Sequence, residues 1–165
     1  MKKVLIPLMV LFGLLTAGIA FAAEHPLNES FRGIAWGTPE SELVNKYGLE
    51  KGKQLIENTY TRAGDNQSMG SIPLQYIHYY TNNDGKFYKV DMRAAINHSG
   101  ALVQMYQQQF GQETTGSPKE YMWDLGKVKV WIEAKPAPVS SMSPYTLITI
   151  TRKSEEAMKN QGGGF

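Results

Sequence analysis

The feature that most constrains the fold is an Asp84-Gly85 pair between two runs of alternating apolar residues. The runs cover residues 72–81 and 87–96, and both have the two-residue period of a half-buried strand. Both central residues of a type I′ turn need positive φ, and Asp-Gly is among the pairs that tolerate it. The sequence therefore predicts a β-hairpin with Asp84 and Gly85 as its two-residue loop.

This loop fixes which residues of the two predicted strands face each other. On one face, counting outward from the loop gives mostly apolar pairs: Thr81 with Tyr88, Tyr79 with Val90, and Ile77 with Met92. On the other face it gives aromatic and charged pairs: Tyr80 with Lys89, His78 with Asp91, and Tyr76 with Arg93. One face is therefore suited to a core, and the other to solvent or a partner.

A first helix is predicted over residues 39–47. Thr38 can act as the N-cap, and Pro39 suits the first helical position. Gly48 can adopt the left-handed conformation that ends a helix.

A second helix is predicted after the hairpin. Asn97 or Ser99 can cap it, and Gly111 stops it. Its apolar residues recur at helical spacing: Leu102, Met105, Tyr106 and Phe110.

The remaining periodic segments complete an α+β fold. Four have the composition of strands: residues 55–63, 119–125, 127–134 and 145–152. We therefore expect an antiparallel sheet of about six strands with two helices on one face.

Each half has a helix ending in aromatic-Gly, Tyr47-Gly48 or Phe110-Gly111, and then three strands. Two αβββ units would give this pattern, and so would convergent helix capping. Residues 154–160 are predicted to add a terminal helical turn.

Residues 1–22 are predicted to be a signal peptide. Lys2 and Lys3 precede an apolar stretch, and Ala20-Phe21-Ala22 has the small residues of a cleavage site. The stretch is nearly long enough to span a bilayer as an uncleaved anchor. Its proline and glycines, together with the cleavage site, favour removal. We therefore expect a periplasmic or secreted protein without a stable membrane anchor.

Composition limits the partners of the exported chain. Lys2 and Lys3 are the only charged residues before position 23, so cleavage reduces the 17 basic residues to 15, equal to the 15 acidic ones. No basic excess remains to attract nucleic acid or an anionic membrane. The chain has no Cys and can form no disulfide.

Residues 23–161 are predicted to be a single domain, and residues 162–165 a flexible tail.

The start of the exported chain resembles known families. It combines Phe31, Ile34, Trp36-Gly37-Thr38, Ser41 and Leu43 with a following Tyr47-Gly48. This pattern is similar to the opening of exported bacterial proteins of unknown function. More loosely, it resembles the helix-then-sheet modules of the β-lactamase inhibitor protein type and of the small outer-membrane assembly lipoprotein. The resemblance implies binding to other proteins and not catalysis. It carries over no functional residue, and the missing Cys means that it implies no lipid tether.

Catalytic motifs are missing from the sequence. It has no Cys nucleophile, G-x-S-x-G elbow, H-E-x-x-H pair or phosphate-binding P-loop. Its three histidines, at positions 25, 78 and 98, do not have metal-ligand spacing. We therefore expect a non-enzymatic binding or interaction module without a cofactor. An unrecognised small hydrolase is the alternative, since a catalytic triad can assemble from distant residues.

The predicted binding surface is the polar face of the hairpin. It consists of Tyr76, His78, Tyr80, Lys89, Asp91 and Arg93. The strands over 119–125 and 127–134 are predicted to form a second hairpin around Leu125-Gly126, and Trp131, Met122 and Lys129 extend the surface if this hairpin joins the same sheet. Asp91 is expected to raise the proton affinity of His78, and Arg93 to stack on Tyr76. Such a face is also compatible with simple solvation, its cross-strand pairs contributing about 0.2–1 kcal/mol each. The expected partner is another envelope protein or a small ligand.

A metal-site hypothesis depends on processing. Cleavage after Ala22 would start the chain at Ala23-Glu24-His25. Its free amine, two backbone nitrogens and the imidazole of His25 suit the square-planar geometry of Cu(II) or Ni(II). The other interpretation is a flexible terminus that contains a histidine by chance.

Overall fold

In the part of the first half that the structure describes, the chain forms one α-helix and seven strands. The computed structural model describes residues 25–52 and 58–154. A 3-10 helix (Pro26–Asn28) leads into β1 (Ser30–Phe31), β2 (Ile34–Ala35) and α1 (Glu40–Asn45). The strands that follow are β3 (Leu49–Lys51), β4 (Thr59–Arg62), β5 (Ser68–Met69), β6 (Ile72–Thr81) and β7 (Phe87–Ala95).

The second half repeats a helix followed by strands. A 3-10 helix (Ile96–His98) runs into α2 (Ser99–Phe110). The strands that follow are β8 (Thr115–Ser117), β9 (Glu120–Asp124), β10 (Val128–Lys135) and β11 (Tyr145–Arg152). Neither half of the described chain contains a helix long and apolar enough to cross a bilayer.

The predicted α+β class is confirmed, and the sheet is larger than expected. Among the described residues it has nine strands, in the order β3-β4-β6-β7-β11-β10-β9-β8, with β5 beside β6. The short strands β3, β5 and β8 escaped prediction because two or three residues cannot display an alternating pattern. Each helix precedes a meander of four strands, not three, and the two meanders join where β7 pairs with β11.

The central hairpin keeps the predicted register but has a different loop. Tyr79 pairs with Val90 and His78 with Asp91, as expected. Gly85 donates its N–H to the Asn82 carbonyl at 3.0 Å and has φ +68°, whereas Asp84 does not have positive φ. The loop is therefore three residues long, and the predicted type I′ turn is wrong.

The side chain of Asn82 accounts for the longer loop. Its Oδ1 accepts the N–H groups of Asp84 and Lys86 at 3.0 and 2.8 Å. The extra loop residue shifts the pairing, so Thr81 faces Phe87 in place of the predicted Tyr88. A bulge at Tyr88 then restores the predicted register for the rest of the hairpin.

The helix starts also differ from prediction. Thr38 does not cap α1, because its Oγ1 donates to the Ala35 carbonyl at 2.7 Å while its own carbonyl accepts the Phe87 N–H. Instead, the Gly85 carbonyl accepts the N–H of Glu40 at 2.8 Å. At α2, neither Asn97 nor Ser99 is the N-cap, since a 3-10 turn runs directly into the helix.

Both helices pack on the same face of the sheet. Leu43 of α1 and Leu102 of α2 share one core cluster with alternate residues of the central strands. Val128, Val130 and Ile132 of β10 are fully buried there, as their spacing predicted. Trp123 of β9 is 1% exposed, and its indole N–H donates to the Gly111 carbonyl at 3.0 Å.

Several predictions fall outside the described residues. They concern the signal peptide over residues 1–22, the first part of the 55–63 strand, the turn beyond residue 154 and the tail over 162–165.

Two tryptophans of the β9–β10 hairpin can be used to test which face of the sheet is the core. Trp123 faces the core, whereas Trp131 is partly exposed on the opposite face. We expect Trp123→Ala to lower the free energy of unfolding by about 3–5 kcal/mol. Trp131→Ala should cost clearly less, because it leaves no closed cavity. Urea unfolding followed by circular dichroism measures both, and equal losses would contradict the assigned faces.

Candidate functional site

The face of the sheet away from the helices carries aromatic and charged side chains from five strands. We call it the open face: Tyr76, His78, Tyr80, Lys89, Asp91, Arg93, Thr149, Trp131, Met122 and Lys129. One row crosses it, with His78 opposite Asp91, Asp91 opposite Thr149, Thr149 opposite Trp131, and Trp131 opposite Met122. The β9–β10 hairpin thus belongs to the same sheet as the central hairpin. The predicted extension of the binding surface to Trp131 required this. All residues of the predicted binding surface therefore lie on one face.

Asp91 is the polar centre of the open face. Its carboxylate accepts a hydrogen bond from Lys89 Nζ at 3.0 Å and another from Thr149 Oγ1 at 2.8 Å. The Asp91 side chain is only 12% exposed, so both bonds compensate for lost hydration. Lys89 Nζ also lies 3.9 Å from the centre of the Tyr80 ring. A carboxylate, a cation and an aromatic ring are thus held in one orientation.

Thr149 was not predicted from the sequence as a site residue. The alternation of β11 indicates that its side chain faces outward, but not that β11 lies beside β7. A pairing across nearly sixty residues has no local sequence signal.

His78 lies among aromatic rings. It stacks on Tyr76, with ring centres 4.1 Å apart and planes 11° from parallel, and meets the edge of Tyr80 at 6.4 Å. Burial lowers the pKa of His78 below its usual value, Lys89 lowers it further, and the opposing attraction of Asp91 is too weak to reverse this. Asp91 therefore acts on the pKa of His78 in the expected direction, but burial outweighs it and the net proton affinity falls. The pKa of Tyr80 is raised, first by burial and then by the Asp91 charge.

Arg93 stacks on a different ring from the one predicted. Its guanidinium lies 3.9 Å from the centre of the Tyr145 ring, whereas Tyr76 is occupied by His78. Tyr145 begins β11 and pairs with Ala95, which places it diagonally beside Arg93. The predicted cation–ring contact thus occurs with a partner that hairpin counting could not reveal.

A shallow groove of about 250 Å³ crosses the open face. Lys89 and Tyr88 line one side, and Trp131 and Glu133 line the other. Tyr88 reaches it because the bulge re-aims this residue. Lys129 Nζ lies 5.4 Å from the centre of the Trp131 ring. Aromatic surfaces and oriented charges of both signs are groups suited to recognition.

His25 lies away from the open face. Its Nδ1 accepts the Leu27 N–H at 3.2 Å, and its ring meets the edge of Phe110 with centres 4.5 Å apart. Burial lowers its pKa. Ala23 and Glu24 are outside the described residues, so the metal hypothesis stays a prediction. Within residues 25–52 and 58–154, no three metal-ligating side chains cluster.

Comparisons with family models, curated proteins and solved structures find no match to this chain. The family resemblance drawn from the sequence stays a prediction.

The lowered pKa of His78 predicts how stability changes with pH. The unfolded state, with a His pKa near 6.5, binds more protons than the folded state on acidification. The stability that neutral His78 contributes is therefore present above about pH 6.5 and is lost as pH falls through the folded pKa.

The protein should consequently lose more unfolding free energy between pH 7.5 and pH 5 than a His78→Gln variant does. Urea titrations at both pH values measure the difference. His25, whose pKa is also lowered, is present in both proteins and cancels. An equal or larger loss in His78→Gln would contradict the assigned environment.

Proposed function

We propose that this protein is an exported, non-enzymatic binding module that holds another envelope protein against the open face. The observation that carries the proposal is the continuity of this face across five strands, with ordered aromatic and charged groups that remain partly exposed. Export follows from the signal-peptide features of residues 1–22.

Preorganised side chains support a binding role. Lys89 is held by Asp91 and Tyr80, and Arg93 lies on Tyr145. Ordering long side chains at an interface costs about 0.5–1.5 kcal/mol each, and much of that cost is already met in the free protein. Tyrosine, tryptophan and arginine are also the residues that most often dominate binding energy.

The shape of the open face favours a protein over a small ligand. The face spans four strand spacings from β6 to β9, about 19 Å at about 4.8 Å each. Its groove is shallow and holds only about 250 Å³. Small ligands usually occupy deeper clefts of about 300–1,000 Å³, whereas broad, gently shaped faces suit protein partners.

Site-specific variants of the open face test the proposal. Tyr76→Ala and Trp131→Ala each remove a partly exposed aromatic side chain, on β6 and β10. We expect each variant to retain less than a tenth of the envelope protein that the unmodified protein captures. The measurement is quantitative mass spectrometry of material retained from an envelope extract.

Gln108→Ala is the matched control. Gln108 is exposed on α2, and this helix packs on the opposite side of the sheet. The control should capture the same partner at the same level. Equal capture by all four proteins would show that the open face is not the contact surface.

A further inference from the structure

A second concavity lies at one end of the open face. It is a groove of about 440 Å³, between the bulged start of β6, the end of β7 and the loop before β11. Its lining includes Gln75, Arg93, Ile96, Asn97 and Met142. This volume is within the usual range of small-molecule sites.

Arg93 gives the groove a positive charge without a carboxylate partner in the described part of the chain. Its Nε is buried and has no acceptor among residues 25–52 and 58–154. The carboxylates nearest along the face are already engaged, Asp91 by Lys89 and Glu133 by Lys135. A buried donor without an acceptor is rare in folded proteins, and an anion near this guanidinium would compensate its charge.

The other wall of the groove is apolar. Ile96 is 36% exposed and Met142 is 46% exposed, values high for large aliphatic side chains, and Pro144 adjoins them. Such side chains gain free energy when an apolar group covers them.

Two side-chain amides border the site. Gln75 is the extra residue of a register shift between Leu74 and Tyr76, and bulges often re-aim side chains toward functional sites. Asn97 comes from the 3-10 turn before α2. Both supply hydrogen-bond donors that a carboxylate can use.

We infer that this groove binds a small carboxylic acid with a short apolar chain. Its carboxylate pairs with Arg93, and its chain lies along Ile96 and Met142. A cationic ligand would be repelled by the Arg93 guanidinium, and a wholly apolar one would leave the charge of this guanidinium without a counter-ion. The inference goes beyond the proposed function, since it concerns a small ligand in a groove that Trp131 does not line.

Titration of the purified ¹⁵N-labelled protein with sodium hexanoate, followed by NMR, tests the inference. We expect saturable shifts at the backbone amides of residues 93–97 and of 142 and 143, with a dissociation constant in the millimolar range or tighter. Hexylamine, which also has six carbons but carries the opposite charge, should produce no such shifts. Arg93→Gln should weaken hexanoate binding at least tenfold.

Met142→Gln provides a second variant that does not depend on Arg93. Because Met142 is exposed, its replacement should leave the fold intact and weaken hexanoate binding severalfold. Non-saturating shifts, equal binding of hexylamine, or unchanged affinity in Met142→Gln would overturn the inference, even if Arg93→Gln failed to fold.

Trp131→Ala separates the two proposals. It should reduce partner capture and leave hexanoate affinity unchanged, because Trp131 does not line this groove. Loss of capture with retained hexanoate binding supports both proposals. Retained capture with retained hexanoate binding overturns only the choice of the open face.

Discussion

The pairing of β7 with β11 is the constraint on which the rest of the structure depends. It joins two four-stranded meanders through seven consecutive residue pairs, from Tyr145–Ala95 to Thr151–Lys89. On the core side of this pairing, Val90, Met92, Ile148 and Ile150 are essentially fully buried. Because side chains alternate between faces, the same register places Asp91 beside Thr149 on the other side. A shift of one residue would exchange the core and the open face.

This register places the Asp91 carboxylate where it is largely shielded from water, and it is tolerated there because neighbouring side chains donate hydrogen bonds to it. A carboxylate as shielded as Asp91 would cost several kcal/mol if it had no partner. Lys89 supplies the charge, and Thr149 supplies a hydroxyl from the neighbouring meander. The second contact exists only when the two halves are joined, so formation of the complete sheet and of the polar centre are coupled.

Local patterns predicted much of the fold. The two-residue period placed β6, β7 and β10 correctly and predicted the buried faces of their regular stretches, such as Ile77 and Tyr79 of β6 and Val90 and Met92 of β7. It did not predict the two bulges, where the alternation breaks. Short strands such as β3 and β8 carry no such pattern. The loop at Asp84-Gly85 was predicted with the wrong length because the Asn82 side chain, not the Asp-Gly pair alone, decides its hydrogen bonding.

The candidate site was predictable as a set of residues but not as a set of contacts. Counting across one hairpin brought His78 and Asp91 together, since this pairing is local. It could not show that Tyr145 lies under Arg93, because that contact requires β11 beside β7. Nor could it give the sign of the pKa shift at His78, which depends on how far neighbouring strands exclude water.

The two bulges of the central hairpin connect the fold to its grooves. Each adds one residue to a strand, Tyr88 in β7 and Gln75 in β6, at opposite ends of the paired region. Tyr88 lines the shallow groove beside Trp131, and Gln75 lines the groove at Arg93. A regular ladder would have sent successive side chains to alternate faces, whereas a bulge re-aims one without disturbing the core register between them. The positions at which this hairpin departs from ideal pairing are therefore those that shape its concave surfaces.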